Sequence, residues 1–320
     1  MRLVPPVFAL LCAVAAPAVH AQAYPSKPVR IVVGFTPGGG VDINARLLAP
    51  ELSKQFGQQF IVDNRPGAGT NIANELVAKS PPDGYTLLMN TAAIAINMSL
   101  YKKVNYDAIK DFAPISVFSQ SPNILTVHPS LPVKSVKDLI ALAKAKPGSM
   151  NYSSAGSGTT QHLTGELFKL RTGTNIVHIP YKGSAPSLTA LLGGEVHMTF
   201  ANIPAISSHV KAKRLRALAN AGTKRSSQMP DVPTLKESGV NGVEVVVWYG
   251  VLAPASTPRE IVNALATSIE KISRSPATRQ HLLDQGAEPV GNTPEEFSKL
   301  MREELQRWAE VVKVSGAKAD

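Results

Sequence analysis

The chain has 320 residues, 44% of them hydrophobic and 18% charged, a globular balance with enough length for two cores and too much apolar content for a disordered segment. Its formal charge is +10, but the bases are scattered, and only Lys211, Lys213, Arg214 and Arg216 form a dense run. That pattern reads as a solvated basic surface that attracts anionic solutes, and it argues against a nucleic-acid partner.

Residues Met1 to Ala21 carry one positive charge (Arg2), an apolar run from Val7 to Ala16, and small residues ahead of a cut after Ala21 or Ala23. This is the pattern of a secretory signal peptide, and the run is too short to span a bilayer. The only cysteine, Cys12, falls inside that leader, and the bulky Leu11 before it disfavours lipid attachment. The mature chain is therefore expected to be exported and soluble, without thiolate metal sites or cysteine nucleophiles.

Val29 to Val33 is a β-branched run of strand length, followed by a break at Thr36-Pro37-Gly38-Gly39-Gly40 and a helical spacing of apolar residues from Asp42 to Leu52. Glycines that let backbone approach a ligand, together with the free N–H groups of a helix start, make an anion-binding turn. A second strand at Gln59 to Asp63, a turn through Asn64-Arg65-Pro66-Gly67-Ala68-Gly69, a helix from Thr70 to Lys79 and a strand from Tyr85 to Met89 continue the alternation. Such βα repeats predict a parallel, doubly wound sheet.

Phe112 to Val127 breaks the rhythm with two extended stretches joined through Pro122. The alternation then resumes: helix 136–144, strand 150–153, loop 154–159, helix 160–170, strand 176–180, helix 187–192 and strand 196–200. A strand, proline turn and helix recur at Ile124 to Ala145 and at Gly250 to Ile272, which places crossings between two domains near 123 and 245. The expected organisation is a leader (1–21), a discontinuous first domain (22–123 with 245–320) and a second domain (124–244), with a ligand cleft between them.

The second domain repeats the glycine device in Ser153-Ser154-Ala155-Gly156-Ser157-Gly158-Thr159-Thr160. Neither loop supplies the lysine of a P-loop, and Gly38-Gly39-Gly40 lacks the glycine spacing of a dinucleotide site, so nucleotides are disfavoured. The serine-elbow spacing is absent, and the histidines show no metal spacing. A hydrolase built on His162 and Asp42 is the weaker enzymatic alternative. Trp248-Tyr249, at the second crossing, suits a cleft wall and hinge packing equally.

Tyr24-Pro25-Ser26-Lys27-Pro28-Val29-Arg30, the Phe35 to Arg46 segment, Asn64 to Gly69, Pro82-Asp83-Gly84-Tyr85, Lys110-Asp111-Phe112, Pro180-Tyr181-Lys182-Gly183 and Val232-Pro233-Thr234 stand in the order of one family. Through them the mature chain resembles the Bug family, the extracytoplasmic receptors of tripartite tricarboxylate transport systems. The resemblance implies an α/β, two-lobed periplasmic binding protein fold of the second type, with two doubly wound sheets and two inter-domain crossings. It implies a monomer in the periplasm that uses no cofactor or metal. Its partners would be a small carboxylate and the membrane subunits of a transporter, with presentation to a sensor protein as the alternative.

Carried onto this chain, the implied ligand positions are Phe35, Thr36, Pro37, Gly38, Gly39, Gly40 and Asp42 on the first loop, and Thr91 and Ala92 after the third strand. The second loop adds Ser154, Gly156, Ser157, Gly158, Thr159, Thr160 and His162; beyond it lie Tyr181, Lys182, Gly183, Ser184 and Asn202. One departure is that Ala201 stands where the family often has an acidic residue, which disfavours an amino-acid ligand. With only Lys182 as a basic group near the cleft, one or two carboxylates suit it better than three.

Overall fold

The computed structural model describes residues 24–319; the expected signal peptide and Cys12 lie outside the described residues. Strand β1 (Val29–Val33) has four side chains with no exposed surface, Val29, Ile31, Val32 and Val33. Each contributes about 1.5–3 kcal/mol relative to exposure, which fixes this run as the centre of the first lobe. It is followed by α1 (Gly40–Phe56), β2 (Phe60–Asn64), α2 (Asn71–Ala78), β3 (Thr86–Asn90) and α3 (Ala93–Leu100). β1 pairs in parallel with both β2 and β3.

Strand β4 (Phe112–Val127) is a single 16-residue strand and not two stretches. After it come α4 (Val136–Ala145), β5 (Met150–Ser154), α5 (Thr160–Thr172), β6 (Ile176–Pro180), α6 (Ser184–Leu192), β7 (Met198–Asn202), α7 (Ile203–Lys211) and β8 (Arg216–Asn220). β5 pairs in parallel with β6 and β7, repeating the arrangement around β1. The chain closes with β9 (Val246–Pro254), α8 (Arg259–Arg274), α9 (Pro276–Asp284), β10 (Glu288–Pro289) and α10 (Pro294–Ser315).

The two sheets meet on β4. Up to Pro122 this strand pairs antiparallel with β9, the last rung being Pro122 with Val246. From Asn123 onward it pairs antiparallel with β7 and β8 instead, beginning with Asn123 opposite Asn202. Proline has no N–H to give a ladder, so Pro122 sits where one set of partners ends and the other begins. The sheets are therefore mixed and not purely parallel: β4 leaves the first lobe and β9 returns to it, and an outgoing and a returning strand run in opposite directions.

Helix α10 ties the lobes from behind. A capping box between Thr293 and Glu296 starts it, with Pro294 in the first turn. It packs against α3 and β4 and reaches α5. Its buried Phe297, Met301 and Trp308 join one apolar cluster holding residues of both lobes. The indole N–H groups of Trp308 and Trp248 both donate to the buried Glu304 carboxylate, at 2.7 and 3.3 Å. Among the described residues no helix is long and apolar enough to cross a membrane.

Candidate functional site

Both glycine loops emerge from the carboxyl ends of parallel strands, β1 and β5, the place where doubly wound sheets present ligand-binding groups. They face each other across a cavity of about 30 Å³, room for about two waters, so the lobes stand closed against one another. The lining is Phe35, Gly39, Gly40 and Val41 from the first loop and α1, Thr91 ahead of α3, and Ala155, Thr159, Thr160 and Gln161 at the start of α5. Ser184 of α6, Asn123 of β4, Asn202 of β7, and Val247 and Tyr249 of β9 complete it. No lysine, arginine, histidine, aspartate or glutamate is among them. Burial pushes the Tyr249 phenol pKa well up, against a smaller opposing effect of its hydrogen bond with Asn202, and keeps it neutral.

The donors of this cavity are therefore neutral, backbone N–H groups beside side-chain hydroxyls and amides. α1 starts at Gly40 after Gly39, which has no side chain to cap it, so the first-turn N–H groups keep their hydrogen-bonding capacity. α5 starts at Thr160 and α6 at Ser184, and residues at all three helix starts line the cavity, so their positive ends meet it. α7 begins directly after Asn202, with Pro204 in its first turn.

The first loop is held in shape from behind by Asp42, whose side chain is 3% exposed. Its carboxylate accepts from Gly38 N at 2.9 Å, Arg46 Nε at 3.0 Å and Asn64 Nδ2 at 2.9 Å. Burial alone would raise its pKa, but the bonds from Arg46, Gly38 and Asn64 together outweigh burial and hold it below the usual carboxylate range. Asp42 is thus a brace, and the Gly38 N–H is spent on it. Pro37 and Gly38 are exposed.

The second loop is more self-contained than its sequence implies. Ala155 N donates to Gln161 Oε1 at 2.8 Å, Gly156 N to Ser154 Oγ at 3.1 Å, and Gly158 N to His162 Nδ1 at 3.3 Å. Ser154 turns its hydroxyl toward His178 Nε2, 2.7 Å away. His178 stacks on His162 at 4.1 Å, and burial, with help from His162 and Lys169, pushes the His178 pKa down to about 2. His162 also has Thr159 Oγ1 capping its backbone N–H at 3.3 Å. These contacts make His162 a structural support of the loop. What α5 offers the cavity is the pair of N–H groups of Thr160 and Gln161, not the loop interior.

Of the positions expected from sequence, Phe35, Gly39, Gly40, Thr91, Thr159, Thr160 and Asn202 line the cavity. Thr36, Ser157, Gly158 and Gly183 lie on the seam where the lobes touch. A Cβ on Gly183 would meet Thr36 N at 3.1 Å and its Cβ at 3.2 Å, and one on Gly158 would meet Asn97 Cγ at 3.0 Å. Tyr101 Oη donates to Ser157 O across this seam at 3.2 Å. Pro37, Gly38, Asp42, Ala92, Ser154, Gly156, His162, Tyr181 and Lys182 do not line the cavity. Ala92 is core, Tyr181 packs beside α6 and α7, and Lys182 is exposed.

The positions that sequence reasoning did not reach are Val41, Asn123, Gln161 and Val247, while Ser184, the last of the run from Tyr181, lines the cavity. Tyr249 takes the cleft-wall role, while its neighbour Trp248 points to the opposite face of β9 and packs on Phe297. Strand alternation separates the two. Four buried side-chain oxygens have no hydrogen-bond partner among the described residues: Thr36 Oγ1, Asn97 Oδ1, Asn123 Oδ1 and Asn202 Oδ1. All four belong to the cavity or the seam.

Comparison with known proteins places the chain beside periplasmic receptors. The family model described as tripartite tricarboxylate transporter family receptor matches residues 44–317. Protein BugT of Bordetella pertussis is 40% identical over 314 residues, covering 98% of this chain and 96% of its own. The R. palustris protein Rpa4515 with adipate superposes with a TM-score of 0.90 at 42% identity, over 93% of this chain and 100% of that one. MatC from Rhodopseudomonas palustris with bound malate gives 0.87 at 30% identity, over 90% and 100%.

Proposed function

Because the chain belongs to the family of tripartite tricarboxylate transporter receptors, periplasmic proteins that bind solutes and are not enzymes, we propose that it captures a small organic mono- or dicarboxylate between its lobes and delivers it to the membrane subunits of a transporter. The observation that carries this reading is the convergence of three helix starts on one cavity whose lining holds no ionised side chain. A carboxylate there is held by neutral donors and dipoles. The binding of adipate and malate by two relatives of the same fold points to the same solute class.

Admitting the solute means parting the lobes about the paired strands β4 and β9. We assign the moving units as 22–123 with 245–320 and 124–244, a reading supported by the change of β4's partner after Pro122 and by the start of β9 at Val246. The carboxylate is assigned to the first-turn N–H groups of α1 and α5, with Thr91, Thr159 and Ser184 around it. A thermal-shift screen of organic acids tests the reading, since a ligand of the folded state raises Tm by mass action. Rises with small carboxylates are expected; silence from every carboxylate alongside rises with amines or sugars would overturn it.

A further inference from the structure

Resting on that carboxylate reading, we infer that Asn123 selects, among small carboxylates, those that carry a neutral hydrogen-bond donor, a hydroxyl or an amide N–H, besides the carboxylate itself. Asn123 is 1% exposed, lines the cavity at the point where β4 passes between lobes, and has an unpartnered Oδ1. The orientation of its amide follows from its neighbours. Its Nδ2 lies 3.2 Å from Thr164 Oγ1, and Thr164 Oγ1 donates its own proton to Thr160 O at 2.6 Å. A hydroxyl whose proton is spent can only accept, so the amide nitrogen faces Thr164 and the oxygen faces the cavity.

Asn202, opposite Asn123 in the ladder, also has an unpartnered Oδ1, and no lysine or arginine lines the cavity to draw an anion against these oxygens. An ionised second carboxylate placed here would set oxygen against oxygen with no proton between them, and a methyl would leave Asn123 Oδ1 buried and unpaired. A hydroxyl or amide N–H supplies the missing proton. Sites built to bond a ligand hydroxyl or N–H reject analogues lacking it because the protein's buried polar group is left unmatched.

The test is calorimetric titration of the whole mature protein with length-matched acids: butanoate, 4-hydroxybutanoate, succinamate and succinate, then their five-carbon counterparts. The expected result is that a donor-bearing acid binds at least about tenfold tighter than the unsubstituted acid and the diacid of its length. Asn123→Leu, close in size and lacking the acceptor, should bring that ratio to near one, while Thr164 keeps its bond to Thr160. Equal affinities across a matched set, or tightest binding of the diacid, overturns the selection by Asn123 and leaves the carboxylate reading standing. A preference that persists in folded Asn123→Leu overturns it too. If Asn123→Leu does not fold, Asn123→Ala and the wild-type ranking decide by the same ratios. No binding of any acid in either set overturns the selection, and joined to silence from every carboxylate in the thermal-shift screen it removes the carboxylate reading itself.

Discussion

Gly39→Val should block closure while leaving the first lobe folded. Gly39 has an extended backbone, φ −85° and ψ 168°, which valine adopts without strain. The three atoms nearest a Cβ there all belong to Ser184 of the other lobe, its Cβ at 3.3 Å, Oγ at 3.5 Å and N at 3.8 Å, and valine adds two further methyls to this close approach. Overpacking of this kind costs about 1–3 kcal/mol, and here it falls on the closed state alone, so Kd should rise roughly 5- to 150-fold.

The helix start also loses a tolerated N-cap residue, at about 1 kcal/mol, which the ligand-free melt registers as a fall of about 2–4 °C. Titration calorimetry for Kd and scanning calorimetry for Tm separate the two effects. Gly39→Ala should lie between wild type and Gly39→Val, and Ser184→Gly introduced into the valine variant should recover part of the affinity, a coupling read from the double-mutant cycle. Wild-type affinity in a folded Gly39→Val protein would refute a carboxylate site at the start of α1.

His178 gives a pH signature. Its pKa is about 2 in the folded protein against 6.5 ordinarily, so below pH 6.5 the unfolded chain takes up a proton that the folded protein refuses. Stability should therefore fall as pH drops from 6.5 toward 2, by at most about 1.4 kcal/mol per pH unit, with no contribution above 6.5; a His178→Gln melt as steep as wild type between pH 6.5 and 4 would contradict this. Asp42→Asn should cost about 1.5–3 kcal/mol at pH 7 by removing a carboxylate that accepts several bonds. Because the folded pKa of Asp42 is depressed, its advantage is full above the ordinary aspartate value of about 3.9 and fades as pH falls below it; melts of the two proteins that stay equally separated down to pH 2 would argue otherwise. Tyr101→Phe removes the bond to Ser157 O across the seam and should raise Kd about 2- to 10-fold, with the ligand-free Tm as the unchanged control. Trp308→Ala should lower stability by about 3–5 kcal/mol in denaturant titration, because its indole is buried and its N–H is tied to Glu304.

Much of the scaffold is legible in the chain because it is written locally. The β-branched run at Val29–Val33 and the strand at Ile176–Pro180 have the bounds their composition implies, and the glycine-rich breaks mark the loops that meet at the cavity. What was not legible depends on partners distant in sequence. Pro122 reads as an interruption, and only the exchange of β9 for β7 and β8 as neighbours lets one strand run through it. Asn123 carries no local sign of its role, because the cavity reaches it through the hinge. Equally, the loop from Ser154 to Thr159 reads as an open set of donors, although Gln161, His162 and His178 consume most of them from positions that only folding brings near.

Two of the unpartnered oxygens, Thr36 Oγ1 and Asn97 Oδ1, are buried on the seam and do not line the cavity, so no solute held there reaches them. Parting the lobes opens the seam to water, which can then bond both. At about 1–3 kcal/mol for each buried unmatched group, they act as a spring compressed by every closure, whatever the cargo. An empty molecule lacks the binding energy to hold that spring shut, and a loaded one surrenders part of its affinity to it, which shortens the time the solute is retained.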